Sequence, residues 1–166
     1  LCLSPMSFNE LGLVPELLST LKPKTYPSPT PVQSELIPIA LTGRDVWVTA
    51  PTGSGKTLAY ALPLIDQLLR SKSQKPIQLS VSSRSVQSKN TRDIQSLVLV
   101  PTRELAIQVS QTLISLTSQW GTLCKITVVF GGVSINPQMM GLRGGTDILI
   151  ATPGRLLDLI DQNALK

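Results

Sequence analysis

Apolar positions along this chain fall into two kinds of run. Runs spaced at three and four residues predict amphipathic helices, and short unbroken runs predict strands buried on both faces. Pro15 suits the first position of a short helix carrying Leu17, Leu18 and Leu21. Thr30, Pro31 and Gln33 supply a cap, a fixed first residue and the second arm of a capping box. That helix is predicted to reach about Leu41 and stop at Gly43, with a bend at Pro38. Asp45-Val46-Trp47-Val48-Thr49 predicts a short buried strand, and Leu58 to Arg70 a helix with Pro63 inside it. From Ser96 a strand–turn–helix theme repeats. Leu97–Val100, Ile126–Phe130 and Ile148–Ala151 predict strands. Helices are predicted from Arg103 to about Ser118, and through Leu156, Leu157 and Ile160. This alternation predicts an α/β fold with a parallel sheet flanked by helices on both faces. In such a sheet the turns after the strands line up along one edge, where ligands bind.

Ser71 to Gln95 breaks the pattern. It holds seven serines and five basic residues (Lys72, Lys75, Arg84, Lys89, Arg92) against a single acid, Asp93. This composition predicts a mobile surface insertion, with Ile77, Leu79 and Val81 alternating as a short edge strand. The chain as a whole is globular in character, with 42% hydrophobic and 15% charged residues. Its 166 residues suit one domain. A net charge of +5 permits a polyanionic partner without requiring one. Cys2 and Cys124 match no metal or redox spacing, no apolar run is long enough to span a membrane, and the start does not resemble a signal peptide. A reduced cytoplasmic protein, monomeric and free of membrane, is the expectation. Met6 is expected as the natural start, with residues 1–5 an extension.

The chemistry concentrates between the predicted strand at 45–49 and the helix from Leu58. Ala50-Pro51-Thr52-Gly53-Ser54-Gly55-Lys56-Thr57 follows the phosphate-loop pattern G-x-x-x-x-G-K-[ST], with Ala50 where the pattern begins on glycine. Backbone N–H groups of the turn and of the new helix point at one spot, and the helix dipole makes that spot positive. Lys56 adds a full charge for the β- and γ-phosphates, and the Thr57 hydroxyl is placed to ligate Mg²⁺. Two further helix starts, at Thr102 with Arg103 and at Thr152 with Arg155, are anion sites of the same physical kind. Gly131 and Gly132 let an anion approach the main chain. Read as residues alone, Pro153, Gly154 and Glu104 are ordinary cap and turn positions, Phe130 belongs to the core, and Lys125, Arg143 and Lys166 are solvated surface. Gln33 reads equally well as a cap and as an adenine contact.

The phosphate loop, Pro101-Thr102-Arg103-Glu104-Leu105-Ala106, Gly131-Gly132 and Thr152-Pro153-Gly154-Arg155, in this order, resemble the first half of a DEAD-box ATP-dependent RNA helicase. The resemblance covers the chain apart from residues 1–5 and the serine-rich insertion. It implies a three-layer RecA-like phosphate-loop NTPase fold, with residues 6–44 as an adenine-recognition segment and 45–166 as part of the ATP-binding domain. Tyr26-Pro27-Ser28-Pro29-Thr30-Pro31-Val32-Gln33 matches the family's glutamine motif, with Thr25 where a glycine is usual, and Phe8 matches its isolated upstream aromatic. A glutamine amide can pair with the N6 donor and N7 acceptor of adenine, and Phe8 or Tyr26 offers a flat face to the base. The resemblance therefore implies ATP and Mg²⁺ as cofactors, held by Phe8, Tyr26, Gln33 and residues 50–57. It also implies an RNA partner touched through its backbone without sequence preference by Pro101, Thr102, Arg103, Gly131, Gly132, Thr152, Pro153, Gly154 and Arg155.

Phosphoryl transfer to water also needs carboxylates that hold the metal and a group that orients the attacking water. The resemblance supplies these from an Asp-Glu-Ala-Asp segment that would follow residue 166, and from a second domain. Asp158 and Asp161 sit at no matching position. The chain is thus expected to be an N-terminal fragment, inactive by itself, of an RNA-unwinding or RNP-remodelling enzyme. A stand-alone nucleotide- or RNA-binding module and a phosphate-loop ATPase unrelated to nucleic acid are the alternatives. One outcome follows for the base site. Mg·ATP should raise the melting temperature more than Mg·GTP, because a wrong base leaves buried polar groups unpaired. Equal shifts would count against Gln33 as the reader of the base.

Overall fold

The computed structural model describes residues 6–21, 25–74 and 92–165. The predicted extension at 1–5, the predicted edge strand at Ile77, Leu79 and Val81, and Lys166 lie outside the described residues. Contacts divide the chain into two compact units, Leu1–Lys75 and Pro76–Lys166.

The described part of the first unit is helical. A 3₁₀ turn at Phe8–Leu11 leads to α1 (Pro15–Leu18), α2 (Pro31–Leu41) and α3 (Lys56–Gln74). Pro15 and Pro31 each occupy a first helical position, where the missing N–H costs no hydrogen bond. Helix α2 ends at Leu41 as predicted, and α3 runs straight through Pro63. Leu11, Leu13, Leu17, Ile37, Leu62 and Ile65 are buried as α2 and α1 pack against α3. The buried Asp66 carboxylate of α3 accepts from the Val14 amide at 2.6 Å and from the Arg70 guanidinium, which also reaches the Gly12 carbonyl at 2.9 Å. One paired carboxylate thereby fastens the chain entering α1 to α3.

Two sequence expectations need correction here. Residues 45–49 form no strand, and they are exposed, with Trp47 95% accessible. A strand is made by its neighbours, and the described part of the first unit contains none, so the backbone groups of this segment have no ladder to join. Residues 71–74, assigned from composition to the insertion, continue α3.

The second unit is an α/β layer structure. Strands β1 (Ser96–Leu99), β2 (Ile126–Val129) and β3 (Ile148–Ala151) form a parallel sheet in the order β1-β3-β2. Helices α4 (Arg103–Thr117), α5 (Asn136–Leu142) and α6 (Pro153–Asp161) connect and follow them. The chain crosses the sheet from β1 to β2 and then steps back to β3. Right-handed crossovers in opposite directions put α4 and α5 on opposite faces. Central β3 is accordingly buried at all four positions, as its unbroken apolar run predicts. Leu149 and Ala151 meet Val129, Leu142 of α5 and Leu159 of α6 in one apolar cluster. The expectation of cover on both faces fails at β1. Leu97 and Leu99 share a face with Leu149 and Ala151 by register, yet remain 47% and 53% exposed. As an edge strand, β1 lies beyond that cluster.

Arg92, placed by composition in the mobile insertion, is anchored. It pairs with Gly145 in a parallel bridge, and its guanidinium donates to the buried Asp147 carboxylate at 2.6 Å. Asp147 also accepts from the Lys125 amide at 2.7 Å. Gly145 is required at this crossing, because its φ is +78° and a Cβ there would collide with the Arg92 carbonyl. Asp147→Ala would leave a guanidinium and an amide without their carboxylate. We expect it to lower the unfolding free energy by about 3 kcal/mol, read as an earlier urea transition.

Candidate functional site

The phosphate loop enters α3 directly. Gly53 and Gly55 have φ of +83° and +88°, so the backbone curls where the sequence places glycine. Ala59 is the first amide of α3 to find a helical acceptor, the Gly55 carbonyl at 3.1 Å. The amides of Gly53, Gly55, Lys56 and Thr57 donate to no protein acceptor among the described residues. They gather at the positive end of a 19-residue helix. The Lys56 ammonium lies inside the curl, donating to the Ala50 carbonyl and, at 2.7 Å, to the Pro51 carbonyl. Two of its three N–H groups thus hold the loop, and the third is available to an anion. Pro51, Thr52 and Gly53 are exposed, while Ser54 to Thr57 are half-buried.

Gln33 ties this loop to α2. It is 3% exposed. Its Oε1 accepts from the Thr30 amide at 3.0 Å, closing the predicted arm of the capping box, and its Nε2 donates to the Gly55 carbonyl at 3.1 Å. A Cβ on residue 55 would collide with that Nε2. Each end of the amide keeps one further hydrogen-bonding position, one donor and one acceptor. The Thr30 and Ser54 hydroxyls are buried here without a hydrogen-bond partner among the described residues. The sequence reading took Thr30 as a cap only and missed the second role that an unpaired hydroxyl beside the loop suggests. These orphaned hydroxyls and the unpaired amides suit a bound polyphosphate.

Thr57 sits one position into α3, and its side chain hydrogen-bonds Tyr60. Burial raises the Tyr60 phenol above its ordinary range, and the bond from Thr57 opposes that rise. No cluster of three or more His, Cys, Asp or Glu side chains suited to a metal occurs among the described residues. The Thr57 hydroxyl fits an Mg²⁺ ion that takes its other oxygens from phosphate and water. Phe8 is buried, Tyr26 half-buried.

The remaining candidates lie in the second unit, on the edge where its three parallel strands end. Thr102 caps α4, its hydroxyl accepting from the Leu105 amide at 3.2 Å. Thr152 precedes α6 without a side-chain cap bond. Pro101, Thr102, Arg103, Gly131, Gly132, Pro153 and Gly154 are exposed. Arg103 lies over the Phe130 ring, 5.0 Å from its centroid, a cation–π contact. Phe130 is therefore only half-buried, not the core residue that the sequence predicts. Arg155 is 8% exposed and donates from Nη2 to the Val133 carbonyl at 2.8 Å. Its Nε stands 3.5 Å from Asp158, and neither Nε nor Nη1 has a hydrogen-bond partner among the described residues. The three loops are thus cross-linked by side chains: Arg103 to Phe130, and Arg155 to Val133. A cavity of about 430 Å³ in this unit lies elsewhere, lined by Arg92, Gly145, Thr146 and Leu165 among others.

No helix among the described residues is long and apolar enough to cross a membrane. Comparison with known proteins agrees with the motif order. The DEAD-box ATP-dependent RNA helicase CshA of Streptococcus pneumoniae is 38% identical over 161 residues, which make up 97% of this chain and 27% of that protein. The ATP-dependent rRNA helicase rrp3 of Emericella nidulans is 40% identical over 155 residues, 93% of this chain and 29% of that protein. The chain thus spans somewhat over a quarter of the length of these relatives. Among solved structures, the yeast DEAD-box splicing factor Prp28 superimposes with a TM-score of 0.80 at 33% identity, over 99% of this chain and 37% of that one. The fold is RecA-like, and with residues 30–166 matching the DEAD/DEAH box helicase family, the chain belongs to that family.

Proposed function

We propose that this chain is the ATP- and RNA-binding portion of an ATP-dependent RNA helicase. In the whole protein, ATP hydrolysis would drive RNA unwinding or the remodelling of RNA–protein complexes. The observation that carries this reading is the phosphate loop itself, held curled by Lys56 and Gln33 with four amides free of protein acceptors among the described residues. Residues 50–57 would hold the triphosphate and Thr57 its Mg²⁺. The Gln33 amide would use its remaining donor and acceptor on the N7 and N6 of adenine. Either Phe8 or Tyr26 would face the base. When bound, Mg·ATP supplies the phosphoryl group whose transfer to water drives the cycle. This chain's own residues bind and orient it.

The strand-end edge of the second unit would carry RNA. Arg103 is exposed, Arg155 has two buried nitrogens without hydrogen-bond partners among the described residues, and Gly131 and Gly132 are exposed. These groups suit phosphates and ribose, so contact without sequence preference is expected. The charge is modest, at +5 overall, which fits a partner gripped at a few phosphates.

Two measurements test the halves separately. Gly55→Ala places a side chain at positive φ against Gln33, and should weaken ATP binding by at least about tenfold in equilibrium titration. Retained affinity would remove the phosphate loop from the account. Arg103→Ala should weaken RNA binding about equally for unrelated sequences and reduce the salt dependence by about one phosphate. Arg155→Ala should weaken RNA binding as well. Unchanged RNA affinity in both variants would favour a phosphate-loop ATPase that does not act on nucleic acid.

A further inference from the structure

Gln138 of α5 makes a two-point contact that no motif read from the sequence includes. Its Oε1 accepts from the Phe130 amide at 3.1 Å, and its Nε2 donates to the Phe130 carbonyl at 3.0 Å. Phe130 is the first residue beyond β2, where the ladder has run out. The last backbone bond on this edge joins the Thr152 amide to the Val129 carbonyl. In extended chain, the N–H and C=O of one residue face a neighbour together, and a hydrogen-bonded pair exchanges both bonds. The Gln138 amide offers a donor and an acceptor in one plane, so it acts as a one-residue substitute for a neighbouring strand. Glutamine and asparagine carry both groups on one neutral planar amide.

The position of Phe130 matters to everything around it. Its ring lies under Arg103, and Gly131-Gly132 follow directly. The far side of the glycine pair is held where Arg155 donates to Val133. The loop is therefore fixed at two posts, Gln138 on entry and Arg155 on exit. Arg155 also pairs with Asp158, whereas the Gln138 amide spends one donor and one acceptor on backbone.

We infer that Gln138 is a positioning residue for RNA. It fixes Phe130, and through it the Arg103 guanidinium and the Gly131-Gly132 backbone, in the arrangement that receives phosphates. The inference rests on the reading of this edge as an RNA-backbone surface. Without the clamp, Phe130 regains backbone freedom and the loop must be ordered at the moment RNA binds, which weakens binding without removing a charge.

The test uses the full-length gene product, with fluorescence anisotropy on a single-stranded RNA and RNA-stimulated ATPase assays. Gln138→Met keeps the length of the side chain and removes both hydrogen bonds. The RNA concentration for half-maximal stimulation should rise about tenfold, while kcat at saturating RNA and ATP affinity without RNA stay within about twofold of the parent. Gln138→Glu keeps the acceptor for the Phe130 amide and loses the donor to its carbonyl, so a loss of at least about threefold is expected. Should Gln138→Met fail to fold, Gln138→Glu decides by the same criterion. Unchanged RNA half-saturation, with Arg103→Ala weakened, would overturn the inference and leave the RNA surface standing. A parallel fall in RNA affinity, ATP affinity and melting temperature would also overturn it, because a general structural role would then suffice. If Arg103→Ala and Arg155→Ala both bind RNA normally, the RNA surface and the role of Gln138 fall together.

Discussion

Two glutamine amides take up backbone groups that helices and strands leave over. Gln33 accepts from the Thr30 amide at the start of α2 and donates to the Gly55 carbonyl in the phosphate loop. Gln138 accepts from and donates to the single residue Phe130 at the end of β2. Both answer the same constraint. The ends of regular elements carry N–H and C=O groups without partners in the element, and burial makes such groups costly. In this chain the candidate sites lie at such ends. There, backbone polarity is either clamped by a side chain or turned outward, where an anion can take it.

That division of labour accounts for the character of each loop. In the phosphate loop, Lys56 and Gln33 use carbonyls and so hold the curl, while the amides of Gly53, Gly55, Lys56 and Thr57 stay open among the described residues. An anion wants the amides and the ammonium, and among the described residues the protein's own bonds do not compete for those four amides. On the strand-end edge of the second unit the holding groups are Gln138 and Arg155, both acting on backbone. Arg103 is held over an aromatic face, which orients a guanidinium without consuming its five donors. Ligand-facing hydrogen-bond capacity is thereby kept in both places while the loop geometry is restrained.

Beneath the sites, two buried carboxylates work in a comparable way. Asp66 joins α3 to the segment before α1, and Asp147 joins Arg92 to the turn before β3. Each satisfies a backbone amide and a guanidinium together, and a buried carboxylate needs such pairing to remain charged. Neither belongs to a predicted motif. They anchor the segments from which the motifs project. In the second unit, the order β1-β3-β2 puts an all-apolar strand at the centre and brings the three strand ends to one edge.

Much of this was legible in the residues. The cap and first residue of α2, the glycines of the phosphate loop, the strands at β1, β2 and β3 and the helix starts at Arg103 and Pro153 depend on neighbours in sequence. Local patterning therefore carried them, to within a residue or two at their ends. Three things were not legible. Residues 45–49 have the apolar character of a strand, but a strand exists only through partners that no local pattern supplies. Arg92 looked like one more solvated charge in a serine-rich stretch until Asp147, 55 positions away, proved to face it. Gln138 has no periodic signature, because its role is set by an eight-residue return that brings a helix side chain to a strand end. The sequence by itself thus determined the strands β1, β2 and β3, most of the helices and the glycine-curled loop before α3, since these follow from short-range sterics and from glycine, proline and lysine at set spacings. Only the tertiary structure decided which polar side chains hold the loops in shape, because a hydrogen bond across the fold is chosen by what the packing brings within about 3 Å.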